Sequence, residues 1–566
     1  VALARRLGRA YLWLALAHVC FKLLTLVRRH RRGARRLGHL PGRDIDWTGR
    51  QVMANQHRIH DFRCEEMLEN PGQPLVRTIS PDIEVVCCTP EAVETMLKTE
   101  FTKVTKPSRD DHYLFGLLAD WLGDDGIFVL RHGDLLQEQN TRWNNQRKTA
   151  SKIFTKSNFV NLMYDTLVEK SDKMLDALDV SAKANQGVAH ADRNRGATPV
   201  NLQEMFFCFT FDSIQKILFN REVNSVGGDE DEYAKNFDLA HRAMLRHLMS
   251  SIPALLSTML LLPFPFGSLG QTPSSLNPGF WLFRRFFNKP HREFRENVAK
   301  IHSATRKLVR EAREATPKDL EQRRDLLANF LKSKQNFSDK ELQDVILNFI
   351  LAGRDTTACT LTWMFYELTQ NPEVQEKAAE EVLRKLRPSS KPTIEDIDQE
   401  NMPYLHGVLL ETLRLHPPVP QDVKSTLEDV TFPDGTVIPA GVKLVFSPYA
   451  MGRDPTRYKD PLEFRPERWL TTPDPTSSPM NKSMFEMPVF QAGPRYCLGM
   501  QLAKNETKLL ASRMLQRYTF TLEANERPED ITYALMVTMS LQNKPGSHDL
   551  WIVPRFRENL LPVAAA

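Results

Sequence analysis

The sequence predicts a mainly α fold with small β-sheets, preceded by an N-terminal membrane anchor helix, and three patterns carry that expectation. Apolar residues recur at helical spacing through most of 290–415, culminating in ELQDVILNFILAGRDTTACTLTWMFYELTQ at 341–370. Short β signals are confined to 82–88, 427–447 and 531–553. An apolar run near the N-terminus is flanked by arginines. With 41% apolar residues in 566, there is ample material for a large buried core.

The run Ala10 to Val27, AYLWLALAHVCFKLLTLV, would span roughly 27 Å as a helix, just enough for a bilayer core. His18 and Lys22 weaken it, although the Lys22 stem can snorkel towards the headgroups. Arg5, Arg6 and Arg9 precede the run, and six arginines follow it between 28 and 36. The heavier basic side should stay cytosolic, so the body of the protein is expected to face the cytosol. No small-residue cleavage site follows, which argues against a removed signal peptide; an interfacial amphipathic helix is the other form of anchor.

Residues 1–50 hold twelve Lys or Arg against two Asp, so the net +5 of the chain is a basic end on a mildly acidic body. That distribution does not describe a nucleic-acid-binding surface. Seven cysteines, at 20, 64, 87, 88, 208, 359 and 497, form neither a framework nor a CxxC pair. They read as reduced thiols, with no structural zinc.

The division expected is residues 1–36 as anchor with its basic flank, and 37–566 as a single catalytic domain. Segments 181–199 and 222–232 read as surface loops. The long pattern at 341–370 should cross the core as a helix and stop at Asn371-Pro372. Phe432-Pro-Asp-Gly435-Thr436 marks a hairpin turn.

The sharpest chemical signal is Phe490-Gln-Ala-Gly493-Pro-Arg495-Tyr-Cys497-Leu-Gly499, followed by the helical LAKNETKLLASRMLQRY. A lone cytosolic cysteine is ordinarily a free core thiol. Here it stands before a helix N-terminus, whose free N–H groups and dipole favour a thiolate. Gly493 and Gly499 should let backbone approach the sulfur closely, and Arg495 can neutralise a carboxylate. This segment resembles the haem-binding signature of cytochrome P-450 enzymes at every specified position. The resemblance implies Cys497 as axial ligand of haem iron, with Phe490, Gly493, Arg495 and Gly499 around the cofactor.

Other marks of that family follow in the expected order and extend the resemblance over roughly residues 40–555. Glu411-Thr-Leu-Arg414 has the i, i+3 spacing of a helix-face pair. With Arg468, from Phe464-Arg-Pro-Glu-Arg-Trp469, it corresponds to the family's structural triad, Trp469 replacing the usual Phe. Ala352-Gly353-Arg354-Asp355-Thr356-Thr357 places an acid and two hydroxyls inside an apolar helix, an expensive arrangement unless partnered. By resemblance, Gly353 opens a groove over the iron, Thr356 hydrogen-bonds the bound dioxygen and Asp355 relays protons. Trp143 and Arg147, at i, i+4, are implied as haem-propionate contacts. One departure is the stretch VLRHGDLLQEQNTR at 129–142, several residues longer than the family pattern and expected near the pocket mouth.

The implied activity is insertion of one oxygen atom from O2 into a C–H bond of a lipophilic substrate, using haem b. Pro418–Lys424 and Val430–Gly441 look like the fatty-acid and alkane ω-hydroxylase branch, which points to a long-chain fatty acid or related lipid. Sterol or xenobiotic oxidation, and a haem-thiolate peroxide isomerase or dehydratase working without a reductase, are the alternatives; the Asp355-Thr356 pair favours monooxygenation over the latter. Val419, Val423 and Val537 are candidate substrate-lining positions. The apolar element 251–268 is a second candidate for membrane contact. Flavin and nicotinamide fingerprints are missing from the sequence, so electrons are expected from a separate membrane-bound NADPH–cytochrome P-450 reductase, docking near Cys497 with Lys504 as a contact. The expected location is the endoplasmic reticulum membrane, with membrane lipid and the lipophilic substrate as further partners and no nucleic acid.

Overall fold

Eleven helices of ten residues or more and a set of short strands make up the described part of the chain. The computed structural model describes Arg35–Asp44 and most of 54–557; residues 1–34 except 17 and 31, 187–196, 250–288 and 558–566, with short breaks at 45–53, 80–82, 110–111, 388–389, 473–477, 481, 535–536 and 545–546, lie wholly or mostly outside the description. The helices are α1 Ile59–Leu68, α2 Tyr113–Leu122, α3 Gln137–Ser151, α4 Tyr164–Ala184, α5 Leu202–Phe219, α6 Glu232–Met249, α7 Lys289–Glu314, α8 Asp339–Gln370, α9 Pro372–Lys385, α10 Pro403–Leu415 and α11 Met500–Arg517.

Helix α8 is the axis of the molecule, and its limits follow from its sequence. Ser338 caps the first turn while Glu341 reaches back to the Ser338 backbone, a reciprocal capping box. Pro372 disfavours the helical region for Asn371, which leaves it at φ −126°, ψ 73°. Between these points α8 is buried on nearly every face, with Leu347, Ile350, Leu361, Met364 and Phe365 inside the main core. Helices α5, α7, α10 and α11 all pack against it.

A six-stranded sheet lies to one side, in the order β1 (Gly42–Asp44), β2 (Leu75–Ile79), β3 (Ile83–Cys87), β9 (Lys443–Phe446), β6 (Asp422–Thr426), β4 (Val104–Thr105). Val85 is in register with Leu444, Val423 with Val445 and Val104 with Thr426. Leu75, Val85, Leu444 and Phe446 form a second apolar cluster beneath it. Strand β6 begins before the 427–447 span expected from sequence; all five of its residues, DVKST, are buried, charged ones included. The expected hairpin forms between β7 (Val430–Thr431) and β8 (Val437–Ile438), with Gly435 at φ +83°.

One loop expectation changes. The stretch 181–199 is not all loop: α4 continues to Ala184, because Leu178, Ser181 and Ala182 keep a buried face. Among the described residues no helix is long and apolar enough to cross a membrane. The expected anchor, apart from Ala17, and the apolar element 251–268 lie outside the described residues.

Candidate active site

The chain from Pro488 to Gly499 forms a strap held by its own backbone. Cys497 N–H donates to Phe490 O at 2.8 Å, and Tyr496 N–H to Gly493 O at 3.1 Å. Gly493 sits at φ +62°, and a Cβ there would run into the carbonyl oxygen of Leu97. Its need for glycine is therefore seating against the Thr95–Thr99 turn, rather than the approach to sulfur anticipated from sequence. Gly499 meets only ordinary contacts, with its added Cβ 4.0 Å from Cys497 Sγ and 3.9 Å from a Phe154 ring carbon. What Gly499 contributes is its N–H, directed at the sulfur.

Cys497 is deeply placed yet only half covered. Burial pushes its thiol up, while the Gly499 N–H and the Arg147 guanidinium pull it down by less. A bound metal would offset that burial, since thiol ligands deprotonate on metal binding.

Beside the sulfur, Arg495 lies over the Trp143 ring at 4.4 Å. Its guanidinium donates to Leu130 O at 2.6 Å, Ile127 O at 3.4 Å and His132 Nδ1 at 2.9 Å. Two further cations, Lys106 just beyond β4 and Lys424 on β6, converge here through the sheet, Lys106 Nζ being 3.8 Å from Asp422 Oδ2. Lys424 and Gln491 also donate to Asp422. Burial lowers Lys106 to about 7 and Arg495 to about 9, even though Asp422 opposes both shifts. Three enclosed cations thus share one carboxylate, an imbalance that calls for an anion.

Arg147 points elsewhere: it donates to Tyr496 O at 3.0 Å and lies 4.6 Å over the Tyr496 ring. It braces the strap and neighbours the sulfur, while Trp143 underlies Arg495. Phe490 carries Lys504 Nζ 5.7 Å from its ring centre, and burial lowers that amine. Lys504 is therefore half-buried against the strap.

The long stretch at 129–142 is tied into the helices on either side of it. Its second half forms the first turns of α3. Its first half follows a segment pinned to α8, where Phe128 N–H donates to Asn348 Oδ1 at 2.9 Å and Asp125 N–H to Asp344 Oδ2 at 3.1 Å. Its His132 is 1% exposed and stacks on Phe101 at 3.9 Å.

On α8, Ala352, Gly353 and Thr356 are half-buried in an otherwise buried stretch. Thr356 Oγ1 donates to Ala352 O at 2.6 Å, so these two share one face. Gly353, beside them, is set against α5. A Cβ on it would collide with the Ile214 side chain, so it is the crossing of α5 that requires glycine. Asp355 is buried and engaged away from Thr356, with Oδ1 3.3 Å from Arg354 and Oδ2 3.3 Å from His241 Nδ1 on α6. Arg354 is itself held in two places by Asp238. Thr357 donates instead to Glu506 of α11, whose carboxyl burial pushes up to about 8.

Glu411, Arg414 and Arg468 come together as the spacing anticipated. Arg414 forks onto Glu411 at 2.8 and 2.7 Å, and Arg468 Nε donates to Glu411 Oε1 at 2.8 Å. Trp469 Nε1 adds a bond of 2.8 Å to the same carboxylate. Of the candidate substrate-lining valines, Val423 is buried in the sheet register, whereas Val419 and Val537 are half-buried.

The residues present fit a haem. An anion-seeking cationic cluster, an aromatic floor at Trp143 and a half-covered thiol under an N–H donor match a group with two carboxylates and a metal that takes sulfur. Lys106, Lys424, His132, His241 and Glu506 were missed from sequence; each reads in isolation as an ordinary charged residue or histidine.

The cytochrome P450 family model matches residues 85–549. Among curated proteins, the chain is 31% identical over 508 residues to cytochrome P450 CYP94D108 of Paris polyphylla, covering 88% of each chain. It is 32% identical over 455 residues to cytochrome P450 86B1 of Arabidopsis thaliana, covering 76% of this chain and 71% of that one. With cytochrome P450 94B1 of Arabidopsis thaliana the identity is 28% over 498 residues, 84% of each.

Proposed function

Because the chain belongs to the cytochrome P450 family and is thereby a haem-dependent monooxygenase, we propose that it hydroxylates a long-chain fatty acid or related lipid at or near its terminal carbon. Bound haem b supplies thiolate-ligated iron that activates O2, so that one oxygen atom enters a C–H bond and the other leaves as water. Cys497 would be the ligand, oriented by its backbone bond to Phe490 and by Gly499 N–H on the sulfur. Arg495, Lys106 and Lys424 would hold the propionates, with Trp143 beneath Arg495 and Asp422 bonded to the lysines.

Thr356 presents a hydroxyl on the half-buried face of α8, where it can hold water or pass on a proton. For Asp355 to feed that hydroxyl, its carboxylate must turn away from Arg354 and His241. Arg354 remains held by Asp238 during that turn, so the helix keeps its charge balance.

Support for a lipid substrate comes from Pro418–Lys424 and Val430–Gly441, which resemble the ω-hydroxylase branch. The apolar run at 10–27 with its basic flank supports anchoring of residues 1–36 in the endoplasmic reticulum membrane, with 37–566 as one cytosol-facing domain. There an NADPH-dependent diflavin reductase delivers two electrons per turnover.

The observation that carries the monooxygenase assignment is the half-covered Cys497 beside an unbalanced cationic cluster. The Cys497→His variant should lose the thiolate-type carbonyl spectrum of the reduced protein; retention of that spectrum overturns the ligand assignment. The substrate reading is tested by reconstituting the protein with reductase and NADPH and mapping products from a fatty-acid panel. Terminal hydroxylation supports it, and sterol oxidation without lipid hydroxylation overturns it. Product formation from a lipid peroxide without NADPH would favour the isomerase alternative.

A further inference from the structure

The loop before α3 carries a buried histidine, His132, whose Nδ1 meets Arg495 Nε at 2.9 Å and, at the longer distance of 3.3 Å, the Thr105 hydroxyl; among the described residues Arg495 is its only charged hydrogen-bond partner. His132 Nε2 faces Phe101 O at 3.1 Å, an acceptor only, so that nitrogen carries the proton. Nδ1 is then a lone-pair acceptor, 2.9 Å from Arg495 Nε. Burial, reinforced by the Arg495 charge, pushes the imidazole down to about 2, so the ring is neutral, and the Phe101 carbonyl selects this tautomer. The ring is fixed by Phe101 at 3.9 Å and Trp143 at 5.6 Å, and its N–H backbone group by Thr105 Oγ1 at 2.9 Å.

A guanidinium has five N–H bonds arranged in a planar fork. Three are committed to the 127–132 loop: Nε to His132, one nitrogen to Ile127 O and the other to Leu130 O. Among the described residues two have no acceptor, one on each terminal nitrogen, the number that one carboxylate bound through both oxygens would take up. The face of the fork is set by Trp143 at 4.4 Å.

We propose that His132 is a positioning residue for haem: by accepting from Arg495 Nε it fixes the guanidinium so that its two free N–H bonds grip a propionate. This gives the extended 129–142 segment a role, since it carries both His132 and the Leu130 carbonyl to the cationic cluster. His132 acts through Arg495 and touches neither substrate nor iron.

The test uses full-length holoprotein and follows haem transfer to an excess of apomyoglobin, with the ferric/ferrous midpoint potential as second readout. His132→Phe keeps a ring against Phe101 and removes the acceptor; His132→Asn removes the ring and places an amide oxygen near the Nδ1 position. Loss of one charge-assisted bond should make the His132→Phe protein release haem roughly tenfold faster or more. Its potential should fall, because a loosened propionate charge favours the more positive ferric state. His132→Asn should release haem much closer to the unaltered rate. If His132→Phe retains haem normally, or if His132→Asn loses it as fast as His132→Phe, the inference is overturned. Should the Phe variant not accumulate, His132→Leu carries the same comparison with Asn.

Discussion

Glu411 is a fully buried carboxylate whose charge is met by Arg414, Arg468, the Arg465 backbone N–H and the Trp469 indole. Trp469 stands where the family pattern has Phe, and here the larger ring adds a donor that Phe lacks. Trp469→Phe should therefore destabilise by roughly 1–3 kcal/mol, from one lost bond to a charged group and a smaller ring in the core. Glu411→Gln should be more severe, about 3–5 kcal/mol, since it leaves Arg414 buried without its counter-charge. Arg414 also donates to the carbonyls of Gly452, Pro461 and Glu463, so its release would loosen three loops at once. Chemical denaturation of the holoprotein checks both values, and a neutral Trp469→Phe would show that the indole bond is dispensable. These residues were legible because Glu411 and Arg414 lie one helical turn apart and Arg468 belongs to a recognisable segment. Lys106 and Lys424 were not, because a buried lysine and a solvated one look identical in sequence, and only the β4–β6 pairing reveals that both face inward.

Helix α8 combines a long apolar pattern with residues that disobey it, and all of these but Thr356 have a partner on another element. Thr356 turns to its own helix, Thr357 to α11, Asp355 to α6 and Gly353 to α5. The period of the helix was readable from 341–370, and so was its stop at Pro372; the partners were not, because helix crossings bring together residues more than a hundred positions apart. The crossing at Gly353 makes a quantitative case. Alanine there should gain about 1 kcal/mol of helix propensity and lose about 1–3 kcal/mol by pushing on Ile214. The net effect should be destabilising in the natural background. In an Ile214→Ala background the obstruction is gone, and Gly353→Ala should become neutral or stabilising. A double-mutant cycle by thermal unfolding measures this coupling; additive effects would show that α5 does not set the identity of residue 353. Asp355, by contrast, stood out in the sequence as an acid in an apolar helix, but its partners did not: its carboxylate rests on His241 and Arg354 instead of beside the Thr356 hydroxyl.

Across the whole molecule, the strap with Cys497 leads into α11 and the Thr356 face belongs to α8, so the working parts of the site keep their relation only if those two helices do. One polar link between them is Glu506 with Thr357, enclosed in apolar surroundings, and it carries a pH signature. Burial raises the Glu506 carboxyl to about 8 from an ordinary value near 4.5, with the Thr357 hydroxyl lowering it only in part. In the unfolded chain this group ionises near 4.5; in the folded protein it stays protonated until about 8. Between those limits the folded state binds more protons than the unfolded one, so stability must fall as pH rises and level off above about 8. Below 4.5 the group is neutral in both states and contributes no slope. Glutamine has the shape of the neutral acid and cannot ionise, so the Glu506→Gln protein should match the natural one at acid pH and become progressively the more stable of the two from mildly acidic to alkaline conditions. Unfolding temperatures of both proteins, measured across that range, test the claim. Parallel profiles would mean that Glu506 is ionised in the folded protein, and that the contact between α8 and α11 is wetter than its burial indicates.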